Sequence, residues 1–185
     1  MPTKTIHLIR HGQSLFNAAF DQVARTDPML FDAPLSPTGR EQAAALRAEA
    51  HGLGAEIIVT SPLTRAIETA LAVFGADHAP IHVEALHCER LEHSCDVGRS
   101  PRELAESFPG LAFHHLDDPW WHSDGSHARA IVVEPEPILL GRVERFRAWL
   151  GARPERIVAV VGHGTFLHRL TGHHFRNCER RTIEL

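Results

Sequence analysis

The stretch Ile6-His7-Leu8-Ile9-Arg10-His11-Gly12 decides the fold of this sequence. A short apolar run ended by a glycine turn reads as a buried strand, and this one delivers an arginine and a histidine at its carboxyl end. The pattern returns late in the chain as Ile157-Val158-Ala159-Val160-Val161-Gly162-His163-Gly164. Continuous rather than alternating apolar runs belong to strands covered on both faces, as in parallel sheets. Ile57-Ile58-Val59-Thr60 and Ile81-His82-Val83-Glu84 read as further strands, with a last one near Thr182–Leu185.

Helices fall between these strands. Ser36 is a candidate N-cap with Pro37 at the first helical position, and the helix runs through Ala43, Leu46 and Ala50 to a stop at His51-Gly52. Ser61-Pro62 predicts a second helix by the same device, ending near Phe74-Gly75. Leu139, Val143, Phe146 and Leu150 form one apolar face of a helix over 138–150, and a shorter helix follows Thr165. The segment 12–36 reads as loop, with turn signals at Asp27-Pro28 and Asp32-Ala33-Pro34. Residues 86–136 lack strong periodicity and read as an irregular insertion over the sheet edge, with one or two short helices and Trp120-Trp121 anchoring it on the core. Strand–helix alternation predicts an α/β fold, a three-layer α/β/α sandwich around a mostly parallel sheet, in a single domain over 1–185.

Composition narrows the function. Hydrophobic residues at 43% and charged residues at 23% suit a globular chain, and a net charge of −4 offers no global basic field for nucleic acid. No apolar run reaches the ~20 residues of a membrane span, and the N-terminus reads as entering a strand with no leader. Cys88, Cys95 and Cys178 form no Cys-x-x-Cys pair, which predicts packing thiols in a reducing, cytoplasmic setting. Of the fifteen histidines, His163, His168 and His173 lie five apart and His173-His174 are adjacent. Neither is the spacing of helical zinc ligands, so no metal and no cofactor is expected. Asp117-Asp118, Glu134 and Glu136 read as solvated loop charges; His93, Arg99, Arg102, His122 and Arg129 could admit a second anionic group, but surface solvation is their expected role.

Ligands of parallel sheets collect beyond the carboxyl ends of strands, where His11 and His163 both sit. Arg65, in Ser61-Pro62-Leu63-Thr64-Arg65-Ala66, adds a guanidinium in a first helical turn. Two imidazoles with Arg10 and Arg65 suit a transferable phosphoryl group. Arginine forks match phosphate oxygens, and their charge keeps an imidazole neutral and nucleophilic. Gly12 and Gly164 permit close backbone approach, and Ser14 and Asn17 offer neutral hydrogen bonds.

Four stretches carry a family resemblance: Leu8-Ile9-Arg10-His11-Gly12-Gln13-Ser14-Leu15-Phe16-Asn17; Asp32-Ala33-Pro34-Leu35-Ser36-Pro37-Thr38-Gly39-Arg40-Glu41-Gln42-Ala43; Ser61-Pro62-Leu63-Thr64-Arg65-Ala66-Ile67-Glu68-Thr69-Ala70; and Val161-Gly162-His163-Gly164. In this order they resemble the histidine phosphatase superfamily, in its phosphoglycerate mutase-like branch. The resemblance implies that His11 is the phosphorylated nucleophile. Arg10, Arg65 and His163 would form the phosphate pocket, assisted by Ser14, Asn17 and the Gly164 backbone. The proton donor would be an acid after the third strand, Glu89 in Leu86-His87-Cys88-Glu89-Arg90, with Glu92 the alternative. Cys95-Asp96-Val97-Gly98 followed by Phe108-Pro109, with Asn177-Cys178-Glu179, resembles a branch carrying a Cys-Asp pair after the acid. The chain is shorter than the glycolytic mutases, lacks their long C-terminal tail, and has an insertion like theirs only loosely. The implied function is a phosphomonoesterase acting through phosphohistidine on a small phosphorylated substrate, without metal. The alternatives are a mutase-type phosphotransferase and a non-catalytic phospho-ligand-binding module.

Overall fold

The computed structural model describes residues 3–22, 26–75, 78–127 and 129–185. Part of the segment read as loop over 12–36, residues 23–25, and one residue of the insertion, 128, lie outside them. Five strands form one sheet: β1 (Thr5–Arg10), β2 (Ile57–Thr60), β3 (Ile81–Val83), β4 (Ile157–Gly162) and β5 (Arg180–Glu184). Their order is β3-β2-β4-β1-β5, and every pair is parallel except β1 with β5. The mostly parallel sheet expected from the apolar runs is present.

Helices cover both faces. On one, Ile6, Leu8, Val59, Val158 and Val160 pack under Leu139, Val143, Phe146 and Leu150 of α5 (Glu136–Ala152) and Phe166, Leu167 and Leu170 of α6 (Gly164–Thr171). On the other, Ile9, Ile58, Ala159 and Val161 meet Ala43, Leu46 and Ala50 of α2 (Pro37–Ala50) and Ala66, Ala70 and Val73 of α3 (Thr64–Phe74). Alternate residues of each strand thus feed opposite cores.

Ser36 caps α2 as expected, its hydroxyl accepting from the Gly39 N–H at 3.0 Å. Two elements differ from the sequence reading. A helix, α1 (Leu15–Gln22), occupies part of the stretch expected to be loop. The Asn17 N–H donates to Ser14 Oγ and the Ser14 N–H to Asn17 Oδ1, both at 3.1 Å, a reciprocal cap that satisfies free donors of the first turn. The second difference is that α3 begins at Thr64 rather than at Ser61-Pro62, because its cap comes from a distant residue. Asp32 accepts from the Thr64 N–H at 2.8 Å and from the Thr64 hydroxyl at 2.5 Å. Arg99 fixes that carboxylate at 2.8 Å and is therefore no solvated loop charge.

The insertion contains α4 (Pro101–Ser107) and packs on the β3 edge of the sheet. Trp120 and Trp121 are buried with Leu63, Ile67 and Val83, so they anchor the segment. Glu134 is not a solvated charge either. It is 1% exposed and forms a two-bond ion pair with Arg142 of α5, at 2.7 and 2.6 Å. No helix among the described residues is long and apolar enough to cross a membrane.

Candidate functional site

Strand register assembles the site. Arg10 pairs with Gly162 at the carboxyl ends of β1 and β4, and the His11 N–H continues the ladder to the Gly162 carbonyl at 3.0 Å. The next residue of each chain segment is a histidine, so His11 and His163 leave the sheet side by side. Their ring centroids lie 5.1 Å apart, and both side chains are buried.

The loop after β1 is held from three sides. The Gly12 N–H donates to Thr69 Oγ1 at 3.1 Å, and the Asn177 amide donates to the His11 carbonyl at 2.9 Å. The start of α2 presses on it most closely of all. A Cβ on Gly39 would lie 2.0 Å from the Gln13 carbonyl oxygen, and one on Gly12 would lie 2.6 Å from the Gly39 carbonyl oxygen. Only two glycines allow this approach.

His11 Nδ1 lies 2.7 Å from the Gly12 carbonyl, an oxygen that only accepts, so Nδ1 carries the proton and Nε2 the lone pair. Arg65 Nε–H points at that Nε2 from 3.3 Å. Burial, then the charges of Arg65 and Arg10, hold the His11 pKa well below the usual histidine value. Burial and Arg65 do the same to His163, whose ring nitrogens have no hydrogen-bond partner among the described residues. Both imidazoles are neutral at pH 7.

Arg65 also donates to the Cys95 carbonyl at 2.6 Å and to Asp96 Oδ1 at 2.9 Å, while Arg10 Nη1 donates to the Phe175 carbonyl at 2.8 Å. Gly164 lies so close to Arg10 that a Cβ there would stand 3.3 Å from Nε. Glu89 accepts from the Thr165 and Phe166 N–H groups at the start of α6, both at 3.0 Å. Such bonds favour a carboxylate. Burial, then the neighbouring Asp96, nevertheless raise the Glu89 pKa above the ordinary glutamate value.

These groups border a cavity of about 180 Å³ lined by Arg10, His11, Asn17, Arg65, Glu89 and Asp96, with Phe16, Phe20 and His93 at one side. His163 lies behind His11, and Ser14 is turned into the α1 cap. Glu92 reaches the rim, where it pairs with Arg90 at 2.7 Å. Among the described residues, no three His, Cys, Asp or Glu side chains gather as metal ligands would. Sequence reading gave no role to Asp96, Thr69, Asn177 or Arg142. The Cys-Asp and Asn-Cys-Glu stretches were the available signals for two of them.

Fold and site define a class: an α/β sandwich in which two strand ends set two neutral imidazoles side by side, and Arg10 and Arg65 border the small cavity at His11. The chain belongs to the histidine phosphatase superfamily (branch 1), whose sequence pattern matches residues 6–182. It is 30% identical to phosphoglycerate mutase-like protein 1 of Arabidopsis thaliana, over 97% of this chain and 80% of that protein. It is also 30% identical to glucosyl-3-phosphoglycerate phosphatase of Mycolicibacterium vanbaalenii, over 92% of this chain and 74% of that one. The alpha-ribazole phosphatase of Shigella flexneri shares the fold, with a TM-score of 0.66 at 22% identity over 96% of this chain and 89% of that one.

Proposed function

We propose that this chain is a phosphomonoesterase that works through a phosphohistidine on His11. The observation that carries the reading is the His11 tautomer: Nδ1–H is bound to the Gly12 carbonyl at 2.7 Å, and Nε2 is left with its lone pair beside Arg65. Nε2 attacks phosphorus in line. Arg10, Arg65 and His163 stabilise charge on the transferring group, and Glu89 gives its proton to the departing alkoxide. Water then attacks the phosphohistidine, with Glu89 as base. Asn17 contributes a donor, because its Oδ1 is taken by the Ser14 N–H and its Nδ2 remains for a phosphoryl oxygen. Ser14 acts by orienting Asn17, and Gly164 by letting the Arg10 guanidinium close on the site.

Glu89 rather than Glu92 is the acid in this reading. Glu89 is seated by two N–H groups with its pKa raised, whereas Glu92 is spent on an ion pair. The positive charges are side chains, so turnover without metal is expected. The relatives' names point to small phosphorylated metabolites as the substrate class. The three free thiols favour a reducing, cytoplasmic setting.

The test is phosphate release from a panel of phosphomonoesters in EDTA, comparing the native chain with His11→Ala. Turnover that vanadate inhibits and that the substitution abolishes is expected. Full turnover by His11→Ala overturns the reading.

A further inference from the structure

Four arginines border the space where a leaving group would lie. Arg10, Arg65 and Arg90 line the cavity over His11. Arg10 and Arg169 line an adjoining cavity of about 310 Å³ that shares Arg10, Glu89 and Thr165 with the first. Three of the four are matched by carboxylates: Arg65 by Asp96 at 2.9 Å, Arg90 by Glu92 at 2.7 Å and Arg169 by Glu136 at 2.5 Å. The second oxygen of Glu136 lies 3.5 Å from Arg90, so this residue bridges the two mouth arginines. Arg10 alone of the four has no carboxylate within 4.0 Å among the described residues.

The imidazoles nearby are engaged with other rings. His168 and His174 stack with centroids 3.7 Å apart. His93 packs edge-on against Phe20. A phosphoryl group on Arg10 and Arg65 therefore uses the one unmatched arginine. A carboxylate or second phosphate on the leaving group would face Glu92 and Glu136, and would have to displace one of them from its arginine.

We propose that this site selects phosphomonoesters of uncharged alcohols over esters carrying a second anion, with Glu136 and Glu92 as the specificity-determining residues. The proposal rests on the phosphomonoesterase reading for its substrate, and it sets this chain apart from a site built for phosphoglycerate.

The test uses two esters that differ at one carbon, glycerol 3-phosphate with a hydroxymethyl group and 3-phosphoglycerate with a carboxylate in its place. Turnover is measured with the native chain, and binding by calorimetry with His11→Ala, in which turnover cannot obscure affinity. Glycerol 3-phosphate is expected to bind roughly fivefold more tightly at low salt, the scale of exposed charge pairs, with the preference shrinking at high salt. Glu136→Gln in the same background should erase most of that preference, and adding Glu92→Gln should reverse it. Equal binding of the two esters, tighter binding of 3-phosphoglycerate, binding of neither, or a preference untouched by these substitutions overturns the proposal. Binding in the expected order without phosphate release by the native chain would sink the phosphatase reading and leave the selectivity standing. Turnover of both esters at equal efficiency and affinity would do the reverse.

Discussion

Replacing Glu134 by alanine should be among the most damaging single changes outside the site. The carboxylate is 1% exposed and Arg142 is 8% exposed, joined by bonds of 2.7 and 2.6 Å. Removing one partner leaves a buried guanidinium uncompensated, at a cost of about 3–5 kcal/mol. For a chain of this size each kcal/mol moves Tm by about 2–4 °C, so a fall of roughly 6–20 °C is expected. Thermal unfolding followed by circular dichroism at pH 7 measures it. A second variant tests what the pair does. Exchanging an ordinary buried ion pair for apolar residues is often neutral or gains about 1–4 kcal/mol. Here Arg142 Nη1 also donates to the Leu86 and Cys88 carbonyls, at 2.8 and 2.9 Å. Orphaning two carbonyls costs about 1–3 kcal/mol each. The double variant Glu134→Leu with Arg142→Met should therefore stay below the native Tm. Because those carbonyls lie in the segment that presents Glu89, its turnover at 25 °C should fall as well. A Tm change under about 2 °C in Glu134→Ala, or full recovery in the double variant, would refute the reasoning.

Three further outcomes follow from the site and its supports. Glu89→Gln should slow formation of the phosphohistidine from alkyl phosphates by about 10²–10⁴-fold, the usual scale of general acid catalysis, and from nitrophenyl phosphate far less, since a good leaving group needs no proton. Rapid-mixing measurement of that first step checks it, and equal losses there on both esters would remove Glu89 from the acid role. His87 is buried between Phe146 and Phe166, and burial holds its pKa at about 4. The unfolded chain then binds the extra proton first, so stability is lost as pH falls from 6.5 towards about 4, by about 3 kcal/mol in full. His87→Gln should flatten that acid limb in pH-dependent melts, and an unchanged limb would assign the acid sensitivity elsewhere. Gly39→Ala places a methyl group against the Gln13 carbonyl and should cost about 1–3 kcal/mol together with turnover, whereas an unaffected Tm would mean that α2 does not press on the His11 loop.

Local chemistry made much of the sandwich readable. Ser36-Pro37 announces α2 because the cap and the helix are neighbours in sequence, and the apolar runs of β1 and β4 announce buried strands because each run is itself the buried surface. Arg10, His11, Arg65 and His163 could be found because strand ends and a first helical turn fix where they emerge. The failures came where a residue is defined by a partner far away in sequence. Asp32 looked like a turn residue and caps α3 across 32 positions. Glu134 looked solvated because nothing near it in sequence hints at Arg142. The helix α1 is different: Ser14 and Asn17 suit a ligand as well as a cap, and eight residues give little periodicity.

The position of Glu89 brings two opposed tendencies to one carboxyl group. Two N–H groups of α6 favour the carboxylate, while burial and the neighbouring Asp96 oppose it and raise its pKa above the ordinary glutamate value. An arriving phosphate dianion brings further negative charge and engages the positive charge of Arg10 and Arg65, so it drives Glu89 further towards its protonated form. In the proposed reaction, once the alkoxide has taken that proton, the same two N–H groups would hold the carboxylate that remains. Under that reading the residue gives a proton in the first half and accepts one from water in the second without leaving its seat. Glu92, paired with Arg90 at the rim, would have to leave that arginine for either step.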